Sequence, residues 1–430
     1  VRPPPSGRKA DGDEPFLSLA RRPPFSFGAT VVNVVDQPMS VKAGFSSTPI
    51  IIGFVGFLTL VDLFAVQAIL PTLATRFQTS PAAIGLAANA STLGMAVAGL
   101  AMAFLGGRIN RRTGVLASLA LLSVPTMLLS TVTDLATFSA LRVVQGLFMA
   151  AAFSLTMAYL AERCTAAQSA TALAAYVTGA VASNLIGRLI SATLVGSLGV
   201  PANFIFFAAL NLAGAALVWF SFKSASPASN LAGDARSPLA VMSGHLKNSC
   251  LLASFAIGFL ILFAFIGAFT YVNFVLAREP IALSPMSLGF VYFVFLPSMV
   301  TTPLAGSIAA RYGARMSFFV SLGFAILGLP LLLSTSLALV LAGLVIVGVG
   351  TFFAQATATG FVGRAAKSDR VAASGMYLAS YYLGGLAGAA VLGAVFEKAG
   401  WPATVAGVGI ALAAAGAFAA TLKRTTAEPK

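Results

Sequence analysis

Three ionisable residues stand inside long apolar runs: Asp62 in VDLFAVQAILP, Arg142 in LRVVQGLFMAAA and Arg188 in NLIGRLISA. A charge in such surroundings is costly to bury, so its presence marks a candidate functional group. The carboxyl group can take up and release a proton. A guanidinium keeps its proton at any ordinary pH, so it can only neutralise a carboxylate or hold an anionic group. Polar and aromatic side chains recur in other apolar runs: Gln67, Asn89, Asn184, Tyr271, Asn273, Gln355, Tyr377 and Tyr381. Tyr377 and Tyr381 are four apart, which puts them on one helix face. Amides beside aromatic faces suit a small amphiphilic organic molecule, and a ring face attracts a cation. The same groups can instead bond one helix to the next.

The elements that must position these residues follow from composition. Of 430 residues 58% are hydrophobic and only 9% charged, against about 25% charged in a soluble domain. Mean hydropathy is +0.93, so lipid is the expected solvent. Lipid cannot satisfy backbone polar groups, which leaves helices or a closed barrel, and the alternation of a barrel is absent. A helical span needs about 20 residues. Runs of that length are expected at 49–71, 82–105, 114–133, 137–160, 169–196, 202–222, 249–275, 285–308, 315–334, 337–361, 372–396 and 402–422. The predicted fold class is therefore an all-α membrane protein of about twelve transmembrane helices.

The formal charge of +14 is carried mainly by loops and tails, and reads as a membrane-orientation signal rather than a nucleic-acid surface. Arg108, Arg111, Arg112, Arg311, Arg315 and Arg364 fall on one face, with both tails. That face is expected to be cytoplasmic, with both termini. Residues 1–48, rich in proline and charge, are expected to be a disordered cytoplasmic tail. The chain opens with Val, and Met39 is the expected natural start. The loop 223–248 is expected to link bundles at 49–222 and 249–422, with 423–430 a second tail.

The two bundles echo each other. SPAAIGL at 80–86 matches SPMSLGF at 284–290, and Gly146 matches Gly350, both at an offset of 204. The basic loops at 108–112 and 311–315 align at 203. Two parallel six-helix repeats are implied. Gly384, Gly385 and Gly388 read as close helix packing, which fits an interface that rocks. The offset positions of Asp62 and Arg142 are Ile266 and Ile346, so the charges belong to the first repeat alone. Helical rise puts Asp62, Arg142 and Arg188 in the outer half of the bilayer, where the carboxylate and both guanidinium groups are expected to meet.

Twelve spans in two repeats, with RVVQG at 142–146, resemble the major facilitator superfamily. RxxQG is similar to the span-four signature of its proton-coupled antiporters, with Arg142 on the signature arginine. QAILP at 67–71, FTYVNFVLA at 269–277 and ASGMYLASYYLGG at 373–385 resemble bacterial efflux permeases of the YnfM type. The resemblance implies an inner-membrane exporter of drug- or sugar-like molecules, working as a monomer by alternating access and driven by protons. A proton-independent facilitator or importer of a metabolite is the alternative. AFLGGRINRR at 103–112 resembles the superfamily's loop between spans two and three, making Gly107, Arg108, Arg111 and Arg112 conformational-loop residues, with Arg311 and Arg315 their counterparts. Gly107 and Ala310 stand where acids are usual, so the charge latch of this loop is expected to be weaker. No cofactor or metal is implied. His245 is the one histidine, Cys164 and Cys250 lack ligand spacing, and no GxxxxGK[ST] loop occurs, so an enzyme is not the expected reading.

Overall fold

The computed structural model describes residues 48–105, 109–163, 166–222, 238–366 and 370–422. The expected tails, the Met39 start, most of the 223–248 linker, Cys164, Gly107 and Arg108 lie outside the described residues.

Every regular element among the described residues is a helix. The chain runs through α1 (Thr48–Ala68), α2 (Leu70–Arg76), α3 (Pro81–Asn89), α4 (Ser91–Leu105), α5 (Arg111–Leu128), α6 (Leu135–Arg163) and α7 (Ala166–Ser221). It continues through α8 (Pro238–Leu246), α9 (Ser249–Leu276), α10 (Pro285–Val291), α11 (Leu296–Thr301), α12 (Ala305–Tyr312), α13 (Ala314–Gly328), α14 (Leu337–Ala365) and α15 (Arg370–Thr421). Among the described residues nine helices are long and apolar enough to cross a membrane. Two of them, α7 and α15, bend sharply at Gly199 (φ 83°) and Gly400 (φ 76°), each followed two residues later by proline. Only glycine takes that φ without strain, and proline withholds a backbone donor, so each Gly-x-Pro turns one rod into two. Dividing these two and adding α5 gives the twelve expected rods.

The outward faces are apolar. Phe220 is 84% exposed, Leu327 72% and Ile410 71%. Such a continuous apolar exterior is a lipid-facing surface. Helix entry is set by polar caps at the ends of these rods. Ser80 and Ser284 accept from Ala83 N and Ser287 N at 3.2 Å, each with proline next in sequence. The two SP motifs therefore do the same work at equivalent helix starts. Asp134 accepts from Thr137 N at 2.7 Å ahead of α6, and this backbone bond holds its carboxyl below the usual range. The cap is complete above the unfolded-state pKa and is lost as pH falls through the lower folded-state value.

The packing repeats as the sequence does. α1 lies along the first limb of α7 as α9 lies along the first limb of α15. α5 packs on α6 and α7, and α13 on α14 and α15. The repeats meet where α3 and α4 lie on α15, and where α10 lies on α7. Gly146 meets the Ser91 carbonyl on α4, whereas Gly350 meets the Ser321 carbonyl on α13, so these aligned glycines serve different helix pairs. One expectation, on Gly384 and Gly388, is corrected here. Gly384 and Gly388 do mark close helix packing, but they bring α15 onto the Phe259 and Phe263 carbonyls of α9, inside one repeat rather than at an interface between repeats.

A Cβ at Gly384 would overlap that Phe259 carbonyl oxygen, and α9 and α15 would have to part. Gly384→Val is expected to cost about 1–3 kcal/mol, as overpacking does. It should lower the thermal midpoint of the detergent-purified protein, while Gly416→Ala, where a Cβ meets open space, leaves it unchanged. Equal midpoints for the two variants would refute the close crossing.

Candidate functional site

Asp62 sits in the second half of α1 and is 3% exposed. Its carboxylate faces neutral partners. Asn211 Nδ2 donates to Oδ2 at 2.8 Å from the second limb of α7, and the Thr126 hydroxyl of α5 lies 3.4 Å from Oδ1, its single proton shared with the Leu122 carbonyl at 2.8 Å. Gln145 Nε2 donates to Thr126 Oγ1 at 2.6 Å. Arg142 Nη1 in turn donates to Gln145 Oε1 at 2.7 Å. A chain of polar groups thus runs from the acid through α5 to the arginine of α6.

Arg142 is fully buried and does not grip the carboxylate. Nη1 donates to the Asp62 main-chain carbonyl at 3.1 Å, Nε to the Ala88 carbonyl at 2.9 Å, and Nη2 to Ser91 Oγ at 3.1 Å. The helix is interrupted between α3 and α4, which leaves the Ala88 carbonyl to take this bond. One guanidinium therefore ties α1, the α3–α4 junction and α6 together. Among the described residues Asp62 makes no ion pair.

Arg188 does not join this group, contrary to expectation. It donates from Nη2 to Gln67 Oε1, five residues beyond Asp62 and so about 7.5 Å further along α1. Gln67 Nε2 donates to Asn89 Oδ1 at 3.2 Å, and Asn89 Nδ2 to Thr270 Oγ1 on α9 at 3.3 Å. Asn273 Nδ2 reaches the Gln67 carbonyl at 3.3 Å and its Oδ1 accepts from the Tyr292 hydroxyl at 2.7 Å. The Arg188 guanidinium carbon lies 3.9 Å from the centre of the Tyr292 ring and 5.2 Å from that of Phe295, with Phe64 at 5.4 Å. This second cluster straddles the two repeats.

Arg188 is short of partners. It is fully buried, and Nε and Nη1 have no hydrogen-bond partner among the described residues. A desolvated cation–π contact is worth about 2 kcal/mol, while burying an ion costs several. The rings alone do not offset that cost. Asn184, one turn earlier on α7, also has both amide atoms unpartnered.

The other expected substrate residues fall elsewhere. Tyr377 donates to Gln355 Oε1 at 2.6 Å and stacks on Tyr381 with centroids 6.2 Å apart, a patch of α14 and α15 within the second repeat. Tyr271 donates to the Ala389 carbonyl at 2.5 Å and stacks on Phe396 at 5.3 Å. It packs between Gly85 and Gly393, tying α9 to α3 and α15. At the loops, Arg111 pairs with Glu162 at 2.8 Å and Arg112 donates to the Trp219 carbonyl at 2.7 Å, all within the first repeat. The Arg311 and Arg315 guanidinium groups lie over Tyr312 and Phe319. Thr126, Asn211, Ser91, Thr270 and Tyr292 escape a search for charges. Their signal is only a polar atom inside an apolar run, shared with many residues that merely bond their own helix.

A repeated all-helical bundle with a lipid-facing exterior and a polar seam between its repeats is the architecture of a membrane transporter. The sequence model of the Major Facilitator Superfamily matches residues 52–296 and 272–430. The chain belongs to that superfamily and is a multi-pass membrane transporter. It is 28% identical over 329 residues to an uncharacterized transporter of Buchnera aphidicola subsp. Schizaphis graminum, covering 76% of this chain and 80% of that one. It is 26% identical to the uncharacterized MFS-type transporter YybF of Bacillus subtilis, covering 76% and 81%. It is 27% identical to the inner membrane transport protein YnfM of Escherichia coli, covering 80% and 83%. The fold matches a bacterial homolog of the human lysosomal transporter Spinster, in an inward-facing and unoccupied conformation, with a TM-score of 0.69 at 15% identity over 89% and 95% of the chains. It also matches a point mutant of the nucleoside transporter NupG, with a TM-score of 0.69 at 14% identity over 87% and 99%.

Proposed function

We propose that this chain is a proton-coupled exporter of small organic molecules in the bacterial inner membrane. Both termini are cytoplasmic, and one chain suffices. Bundles at 49–222 and 249–422 rock about the seam, joined by the 223–248 linker, with tails at 1–48 and 423–430. The inner-membrane location follows that of YnfM. The observation that carries the reading is the setting of Asp62. It is a buried carboxyl group bonded by an amide and a hydroxyl rather than locked in an ion pair. The hydroxyl can turn to serve either protonation state. A proton gained or lost there is felt through Thr126 and Gln145 at Arg142, which holds three segments together. Asp62 and Arg142 are the coupling residues. Gln67, Asn89 and Asn273 are the substrate-facing amides at the seam, with Asn184 below them, and the Gln355–Tyr377–Tyr381 patch is a second lining.

The test is flux in proteoliposomes under an imposed pH gradient, with export of a compound panel accompanied by measured proton entry. Substrate flux that ignores the gradient would instead make this a facilitator.

A further inference from the structure

Among the described residues the Arg188 cluster lacks a counter-charge. We infer that Arg188, with Asn184 and Ser191, forms the binding site for the carboxylate of a small organic anion, so the transported molecule is an anion rather than a cationic drug. The inference rests on the transporter reading above and names its substrate class.

The three residues lie at i, i+4 and i+7 on α7, which places them on one helix face. All three are buried, at 1% exposure or less. Each carries a side-chain polar atom without a partner among the described residues: both amide atoms of Asn184, Nε and Nη1 of Arg188, and Oγ of Ser191. Buried polar atoms in folded proteins are almost always bonded, so a column of such atoms on one helix face, centred on a full positive charge, marks a candidate ligand site. Its donors fix the ligand's sign. Four of the five unpartnered atoms are donors: Nε and Nη1 of Arg188, Nδ2 of Asn184 and Oγ of Ser191. Asp62 does not supply the missing negative charge, because its carboxylate is turned to Asn211 and Thr126.

The surroundings set the rest of the ligand's chemistry. Tyr292, Phe295 and Phe64 form an aromatic wall at the guanidinium, suited to the apolar body of an organic acid. The site also lies at the seam between the repeats. Arg188 belongs to the first repeat and Tyr292 to the second, and a Cβ at Gly289 of α10 would press on Ala192, one turn along from Arg188. The seam closed over Arg188 must part to admit a ligand, as alternating access requires. A carboxylate entering between α7 and α10 would then replace ring contacts with charge-assisted bonds.

The experiment uses the full chain in detergent, with no gradient, so its outcome is independent of proton coupling. Binding of benzoate, its neutral isostere benzamide, and benzylammonium is measured by calorimetry and by the shift in thermal midpoint. Saturable benzoate binding is expected, with benzamide and benzylammonium weaker by about tenfold or more, the value of one lost charge-assisted contact. Arg188→Gln should abolish the preference for benzoate, and Arg188→Lys should restore part of it. Should the Arg188 variants not fold, Ser191→Ala in an otherwise intact site should weaken benzoate alone. Chloride is titrated in parallel. Benzoate binding that chloride fully reproduces would make this an inorganic-anion site and overturn the inference. So would absence of saturable benzoate binding, equal binding of benzylammonium, or a preference for benzoate that survives in Arg188→Gln. Benzoate binding without any response of flux to pH would sink the proton-coupling reading and leave this one standing.

Discussion

Asp62→Asn should remove the response of transport to a pH gradient while leaving exchange of labelled for unlabelled substrate at equal pH intact. The amide has the shape of a protonated carboxyl group, and its oxygen can still accept from Asn211 Nδ2, whose bond to Asp62 is 2.8 Å long. The helices α1, α5 and α7 therefore stay together, and the thermal midpoint should change little. What the variant cannot do is lose a proton. Gradient-driven flux should fall by about tenfold or more, as expected when the sole titratable group of a coupling step is fixed in one state. In an efflux-deficient bacterium at matched expression, protection by the wild type should be lost in the variant. Undiminished gradient-driven flux in Asp62→Asn would assign coupling elsewhere. Loss of both gradient-driven flux and exchange would show that Asp62 serves substrate or folding instead.

Arg142→Leu is expected to have the largest effect on stability. Four donated bonds vanish, to the Ala88 and Asp62 carbonyls, Gln145 Oε1 and Ser91 Oγ. Bonds to a charged group are worth about 1.5–3 kcal/mol each, offset by no longer burying the charge, which leaves a net loss of about 3 kcal/mol. The thermal midpoint in detergent should drop clearly. Arg142→Lys should recover little, since one ammonium on a flexible stem cannot span α1, the α3–α4 junction and α6 as a planar fork does. A full rescue by lysine would mean that the charge alone matters there. The two predictions separate cleanly: Asp62→Asn tests coupling with the fold kept, and Arg142→Leu tests the tie between helices.

The order of elements was legible because lipid leaves the chain few options. Helical length, Gly-x-Pro at 199–201 and 400–402, and the two SP caps each act within a few residues, where local sterics and backbone bonding decide. Gly146 and Gly350 were harder. Sequence offset aligned them, but a glycine records only that something approaches closely, not which helix does. Gly384 and Gly388 misled in the same way, marking a crossing within a repeat.

For the site, the charged residues stood out because a charge in an apolar run is costly wherever it lies. Their partners did not stand out. Helical rise placed Asp62, Arg142 and Arg188 at compatible depths, yet depth says nothing about rotation around a helix axis. Rotation turned the Asp62 carboxylate to Thr126 and Asn211, gave Arg142 a carbonyl of α1 instead, and carried Arg188 to Gln67 and Tyr292. Residue order alone requires that this chain cross a membrane as two repeats with buried charge in the first, because transfer energy and helical length are properties of segments. Which buried groups face which is settled by packing, because that depends on the azimuth and close approach of helices far apart in the chain.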